Sequence, residues 1–413
     1  MAATKVEKCR ACGHQTFVEI ESLGSFHYAN LFPRTASDGL QKHPLTLLIC
    51  QNCSLCQLSI FPDLDELYTS YLWTTDSSMS IHNHLDELKK KLKNLTGNQL
   101  DHIIEIASND GTFLKKFEGE AKRLIGVDPA RNLSVYYRNT DVRLFTAFFS
   151  EDLLKSNPDV LSNAQLIVAR NVLAHTPNLD AFLRTCKICL SEDGLLYLEF
   201  HDGGEVINKL QFDSIYHEHQ SYITEPAIRL IVQRLGFTVI DCWRGSIGGS
   251  SLSLALKKSP DSDNALSNEH LAHQQEMLVR SETVRWQQFR REIDLYKSKV
   301  AKILNTLILE SQAIVGFGAS ARSTTIASFC GIDRWLSAIV DSSKFKQGRM
   351  WTGTAMRITS PCDHDWTKIH AVVLFAWNFE HEIIAQLSNL GFSGQILRLL
   401  PYEPILIEKK NVH

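Results

Sequence analysis

From Ile103 onward the chain alternates short apolar runs with helical stretches, and it does so in two separate blocks. In the first block the candidate strands are Ile103–Ala107, Arg123–Val127, Gln165–Ala169, Gly194–Phe200 and Thr238–Asp241, with Leu252–Leu256 as a further one. In the second they are Ala313–Gly316, Trp335–Asp341, Ala371–Trp377 and Gln395–Leu400. Strands that alternate with helices bury themselves as parallel sheets covered on both faces. The chain therefore reads as α/β, with two such units and no solenoid-type repeat. A polar stretch, Lys257 to Asn268, reads as a linker between them. A long helical pattern follows it, Ala272 to Glu310, broken once at most, with Met277, Val284, Phe289, Ile293, Tyr296, Val300 and Leu304 among its apolar positions. A shorter helix is expected over Ser78–Asn94 with Ile81, Leu85, Leu88 and Leu92 inward. The divisions expected are residues 1–70, 71–257 and 258–413.

The first part is Cys-rich. Five of the ten cysteines fall within the first 56 residues. Cys9-Arg-Ala-Cys12-Gly13 and Cys50-Gln-Asn-Cys53 form two C-x-x-C pairs, separated by residues 13–49. Paired spacing of this kind, in a large chain whose N-terminus reads as neither a signal nor a transit peptide, points to a metal site in a reducing compartment rather than to disulfides. Four thiolates arranged tetrahedrally suit Zn²⁺ in a closed structural site, with no position left for substrate. Cys56 is a fifth sulfur, but Cys50 and Cys53 mirror the first knuckle better. A set of small buried hydrophobes is the bland alternative.

Charge and hydropathy exclude two classes of partner. Lys and Arg number 43 against 46 Asp and Glu, a formal net charge of −3, so no global basic field exists for nucleic acid. The apolar runs, such as Ala371–Trp377, fall well short of the roughly 18 residues that a membrane helix needs. A cytoplasmic enzyme is expected.

Two strand–turn–helix junctions carry nucleotide-like signals. Ile103-Ile-Glu105-Ile-Ala107-Ser-Asn109-Asp110-Gly111 leads into Leu124-Ile-Gly-Val-Asp128-Pro, which places Asp128 at the end of the second strand. An acid there can hydrogen-bond both hydroxyls of a ribose. Only Gly111 of the usual glycines is present. That suits S-adenosylmethionine (SAM), which has no pyrophosphate to cradle, better than a dinucleotide. An acid that merely caps a helix is the alternative. In the second block, Gly316-Phe-Gly318-Ala-Ser-Ala321 reaches Asp341 at the next strand end. This spacing fits NAD, another nucleotide or simply a tight turn.

The densest polar and aromatic cluster is Phe212-Asp-Ser-Ile-Tyr216-His217-Glu218-His219-Gln-Ser-Tyr222. It follows one strand of the first block, and His175, in Asn171-Val-Leu-Ala-His175-Thr-Pro, follows another. Open α/β sheets place their sites beyond such strand ends. A His beside a Glu is expected to have a raised pKa and a fixed tautomer, as a general base requires, and a neighbouring Tyr can donate to a developing enolate. A His-rich metal site is the rival reading, but His217 and His219 point opposite ways if the segment is extended.

Taken together, the two Cys pairs followed by Gln57-Leu58, the Glu105–Gly111 loop, Asn171–Pro177, Tyr216–Tyr222, Gly248-Gly249-Ser250, Gly316–Arg322, Val340–Arg349 and Phe375-Ala-Trp-Asn378-Phe resemble the nucleotide-sugar C-methyltransferases. The resemblance runs along essentially the whole chain. It implies an N-terminal zinc domain, a middle Rossmann-like SAM domain and a C-terminal Rossmann-like domain. It also implies a nucleotide-linked 4-keto-6-deoxyhexose as substrate, methylated at C-3′ or at C-5′, and a monomer is expected. By the resemblance the base falls on His219 and its polar neighbours on His175, Tyr216 and Glu218. Cofactor contacts are expected at Glu105, Ala107, Asn109, Asp110, Gly111, Asp128 and Asn171. One departure stands out. The family carries Tyr-x-Tyr before the helix that leads into the cofactor domain, and this chain has Tyr71-Leu72-Trp73. Indole N–H donates but is no phenolic acid, which leaves Tyr71 to take over that role.

Overall fold

The computed structural model describes residues 3–35, 41–62, 68, 69, 71, 73–77, 79–97, 100–245, 250–259, 268–308 and 313–407. Gly248, Gly249, Leu72, Glu310 and most of the linker at 257–268 lie outside these.

The first block forms a seven-stranded sheet from β1 (His102–Ile106), β2 (Arg123–Val127), β3 (Val142–Phe145), β4 (Ala164–Arg170), β5 (Leu190–His201), β6 (Phe237–Gly245) and β7 (Ser251–Lys258), in the spatial order β3-β2-β1-β4-β5-β7-β6. β1 to β5 run parallel, and β7 lies antiparallel between β5 and β6. All five positions of β1 are buried, Ile103, Ile104 and Ile106 together with His102 and Glu105, so the strand shows no alternation of apolar and polar faces. The antiparallel end departs from the expected all-parallel sheet. Only five residues separate β6 from β7, too few for a parallel crossover, which takes a dozen or more. β3, an edge strand with half-exposed positions, left no apolar run to read.

The second block gives β8 (Ala313–Phe317), β9 (Ala338–Val340), β10 (Ile358–Thr359), β11 (Ile369–Leu374), β12 (Gln395–Arg398) and β13 (Ile405–Ile407), ordered β10-β9-β8-β11-β12-β13 with only β13 antiparallel among the pairs described.

Between the sheets runs one helix, Asn268–Ile308, unbroken over 41 residues. Trp286, Phe289, Ile293, Tyr296, Val300, Leu304 and Leu307 are buried along it at spacings of three and four. Met277 and Val284, expected inward, are exposed: the buried face runs through Glu282, Trp286 and Phe289, and Val284 lies off it. The stripe joins apolar residues of the N-terminal part, the segment Phe212–Tyr222 and the second block in a single core. The helix Met79–Leu95 buries Leu85, Leu88 and Leu92 as expected, while Ile81 is only half-buried at its start.

The N-terminal part is mostly short antiparallel strands. Phe17–Glu19, Leu47–Cys50 and Cys56–Leu58 pair in that order, and a fourth strand, Ser221–Tyr222, completes the sheet. That fourth strand follows His219 directly, so the segment expected to carry the base is bonded into the N-terminal sheet.

Candidate functional site

The four cysteines of the two pairs converge. Sγ atoms of Cys9, Cys12, Cys50 and Cys53 lie within 4.8 Å of one another, with Cys9–Cys53 and Cys12–Cys50 at 3.5 Å. Zn–S bonds of about 2.3 Å in a tetrahedron place sulfurs roughly 3.8 Å apart, so the set fits the ion. The knuckles match in backbone as well. Gly13 N–H donates to the Cys9 carbonyl and Ser54 N–H to that of Cys50, with φ of +72° and +58°. The second turn uses Ser where the first uses Gly. Cys56 is buried in its strand, outside the cluster.

At the C-terminal ends of β1, β2 and β4 lies a cavity of about 490 Å³. Ala107, Asn109, Asp128 and Asn171 are on its wall, with Tyr71, Trp73, Phe148, Phe149, Arg170, His175 and Phe182. The turn after β1 reverses without the usual glycines by placing Ala107, Asn109 and Gly111 at φ of +56°, +54° and +74°. Asn tolerates the left-handed region, whereas Ala107 costs roughly 1–2 kcal/mol there. Gly111 has no freedom to change, since a Cβ would meet the Tyr137 ring at 2.9 Å. Asp128 braces the turn. Its Oδ2 accepts from Asn109 N–H and its Oδ1 from Ala130 N–H, both at 2.8 Å. Burial pushes its carboxyl up, and those two N–H donors offset part of the effect. A carboxylate over a largely apolar slot of this size fits the ribose and adenine of an adenosyl group.

At the His175 end the cavity meets the polar cluster. His219 Nδ1 lies 2.8 Å from the Ser214 carbonyl, so Nδ1 carries the proton and Nε2 the lone pair. The Tyr216 hydroxyl donates to that Nε2 at 2.9 Å. The His175 ring centroid is 4.9 Å from that of His219. His175 Nδ1 donates at 2.7 Å toward the Glu218 carbonyl, with the Tyr68 hydroxyl also at 2.7 Å.

Three family models match the chain in succession. They are "Putative zinc binding domain" over residues 9–68, "Methyltransferase domain" over 81–241 and "C-methyltransferase C-terminal domain" over 246–401. The C-methyltransferase NovU of Streptomyces niveus is 26% identical over 389 residues, 92% of this chain and 91% of that protein. The chain thus carries methyltransferase and C-methyltransferase domains behind an N-terminal zinc-binding one, and over nearly its whole length it is similar to a C-methyltransferase. Among solved structures, magnesium protoporphyrin IX methyltransferase (ChlM) from Synechocystis PCC 6803 with bound SAH aligns at a TM-score of 0.34, with 15% identity over 43% of this chain and 85% of its own. PH0226 from Pyrococcus horikoshii OT3 aligns at 0.35, with 14% identity over 48% and 100%.

In this SAM-dependent methyltransferase the expected cofactor residues divide into two groups. Glu105, Asp110 and Gly111 stand behind the cavity wall. Glu105 is fully buried, and Arg170 Nη2 donates to it at 2.8 Å; burial pushes its carboxyl up to about 7 and Arg170 draws it back. Asp110 accepts from Thr112 and from Asp76 N–H, holding the turn. Among the catalytic residues, two expectations are corrected. Glu218 does not orient His219. Its side chain accepts from Asn30 Nδ2 at 3.3 Å, and the orienting group is the Ser214 carbonyl. Nor is the His219 pKa raised. Burial, with His175, His201 and Arg322 nearby, lowers it well below the ordinary range. Glu218 is the group pushed up, to about 7, by its own burial.

The His-metal alternative finds no support among the described residues. His217 donates to the Pro44 carbonyl at 3.1 Å and packs edge-on to Tyr28 and His43. The second-block glycine turn is tightly packed. A Cβ at Gly316 would meet Ile339 and Phe375 at 2.8 Å, and one at Gly318 would meet Ala376 at 2.7 Å.

Two kinds of residue escaped the sequence. Tyr68 and Arg170 line the methyltransferase cavity but stand in no motif. Asp213 and Arg322 lay inside quoted motifs, yet their ion pair joins the two blocks across 109 positions and has no local signature.

Proposed function

We propose that this methyltransferase acts at C-3′ of a nucleotide-linked 4-keto-6-deoxyhexose, in the making of a branched deoxysugar. The observation that carries the reading is the His219–Tyr216 pair, with His219 locked as the Nδ1–H tautomer beside the cofactor cavity. Burial keeps the imidazole neutral at physiological pH, so Nε2 is available to take the proton alpha to the C-4′ ketone. Tyr216 donates to that nitrogen at rest, and on substrate binding it is free to donate to the developing enolate oxygen. His175 packs against His219 with its one proton committed at Nδ1 to the Glu218 carbonyl, so its Nε2 is an acceptor, and Tyr71, on the cavity wall two residues before Trp73, supplies a phenol hydroxyl. Asp128, Ala107, Asn109 and Asn171 hold the cofactor. When bound, SAM supplies the electrophilic methyl that the enolate carbon takes up. No covalent link to the protein is needed, and the side chains contribute positioning and charge stabilisation.

Labour divides along the chain. Residues 1–70 hold zinc, 71–257 hold SAM and the base, and 258–413 hold the nucleotide sugar. The reading includes a monomer in a reducing, cytoplasmic setting, which suits four free thiolates.

The test is mass spectrometry of reactions with SAM and a panel of dTDP- and GDP-linked 4-keto-6-deoxyhexoses. Expected is one product heavier by a methylene, with S-adenosylhomocysteine formed in step and NMR placing the methyl at C-3′. A methyl at C-5′ would move the site. In His219→Ala, turnover should fall by about 10²-fold or more, the scale of general-base loss, with SAM affinity unchanged. Loss of SAM binding in that variant would remove His219 from its role.

A further inference from the structure

The segment that carries His219 is not held by its own sheet alone. Phe212–Ser214 is a single short turn, and its two buried polar residues face different ways. The Ser214 carbonyl fixes the proton on His219 Nδ1. Asp213 turns to the second block. There Arg322 Nε donates to Oδ2 and Nη2 to Oδ1, both at 2.9 Å, and Trp377 Nε1 also donates to Oδ2 at 2.9 Å. The Arg322 guanidinium lies over the Trp377 ring, 4.8 Å from its centroid. Asp213 is 1% exposed, so three donors serve a buried carboxylate, and the fork of two of them fixes its plane as well as its place.

The glycine turn that resembles a dinucleotide loop has a use here. It delivers the helix Ala321–Cys330, capped by Ser320, with Arg322 in its first turn pointing at Asp213. A longer or looser turn would move that side chain. Asp213 and Ser214 share one short hydrogen-bonded turn, with Ser214 N–H on the Gln211 carbonyl and Ile215 N–H on that of Phe212, so a displacement of the turn carries the Ser214 carbonyl with it.

We infer that Arg322 and Trp377 are positioning residues for the base: by clamping Asp213 they hold the Ser214 carbonyl where it selects the Nδ1–H tautomer of His219. The C-terminal unit thereby sets the protonation geometry of a base that sits in the methyltransferase unit. The inference rests on His219 being that base, and its decisive readout does not.

The experiment is ¹⁵N-histidine labelling of the full, zinc-loaded chain, with the His219 signals identified by their loss in His219→Gln. In the wild type they should report one tautomer, protonated at Nδ1. In Arg322→Met they should move to a mixture of tautomers. With an active keto-sugar, kcat should fall by about 10²-fold, the cost of misplacement on the ångström scale, while the KM for SAM stays put. Arg322→Lys should recover part of the rate, since it restores the charge but not the fork. Where Arg322→Met fails to fold, Asp213→Asn serves instead. It keeps an acceptor for Trp377 and removes the ion pair, and the same move toward mixed tautomers is expected. Unchanged His219 signals in a folded variant of either kind would overturn the clamp. Turnover that survives in His219→Gln would instead overturn the base assignment, leaving the tautomer result to stand by itself.

Discussion

At the end of its second strand each α/β unit carries an aspartate, and the two carboxylates are bonded alike. Asp128 accepts from Asn109 and Ala130 N–H. Asp341 accepts from Ala319 N–H at 2.9 Å and Ser343 N–H at 2.8 Å. The turns match too: Ala107 N–H bonds to the Val127 carbonyl and Gly318 N–H to that of Val340. What differs is the space beyond. Asp128 looks into an open cavity, whereas Asp341 receives Lys346 from its own loop at 3.1 Å. The strand-end acid is therefore a brace for the turn in both units, and only the walls around it leave one of them open to a ligand. The unit with the better glycine signature is the one whose glycines are used for packing.

Removing the acids separates brace from ligand. Asp128→Ala should weaken SAM by about ten- to a hundredfold in calorimetry, the worth of a charged hydrogen bond. Asp341→Ala should leave SAM affinity alone while lowering stability, by about 1–3 kcal/mol for each N–H left bare. Equal loss of SAM binding in both would erase the distinction drawn here. The glycines sharpen it further. Gly111→Ala and Gly318→Ala should each destabilise by about 1–3 kcal/mol in urea unfolding, through overpacking against Tyr137 and Ala376. Only the first should also shift SAM affinity. Acid gives the smallest and most local effect. His201 and His217 are held down to about 4, mainly by burial. Their folded pKa values lie below the unfolded value, so the unfolded chain binds more protons, and stability is lost as pH falls from about 6.5 toward 4. Hydrogen exchange at pH 5 should quicken around Ser221–Tyr222 and the end of β5 before it does in Ala321–Cys330. The rate should keep its plateau down to below pH 6.5, because His219 stays neutral there.

Sequence reading succeeded where the constraint was local. Four sulfurs at fixed spacing admit few arrangements, and apolar runs of strand length admit few sheets. It erred where the deciding partner is distant. Glu218 is the neighbour of His219 in the chain, but Asn30, 188 positions away, holds its side chain. An adjacent carboxylate predicts a raised His219, but spacing says nothing about burial, and burial decides the sign. Helix packing is legible in period but not in which face is buried, as exposed Val284 between buried Glu282 and Trp286 shows.

The pairing of Ser221–Tyr222 with Cys56–Leu58 has a consequence for how this protein is made and altered. Arg10, from within the first zinc knuckle, also donates to the Gln220 carbonyl at 3.0 Å. The N-terminal part emerges from the ribosome with an edge strand whose mate is still some 160 residues from synthesis, as the register shows. An unpaired edge is a template for wrong partners until that mate arrives, and so long a loop closes late. Exchange of this zinc unit for a relative's would therefore cut through the strand pairing that holds the segment carrying His219.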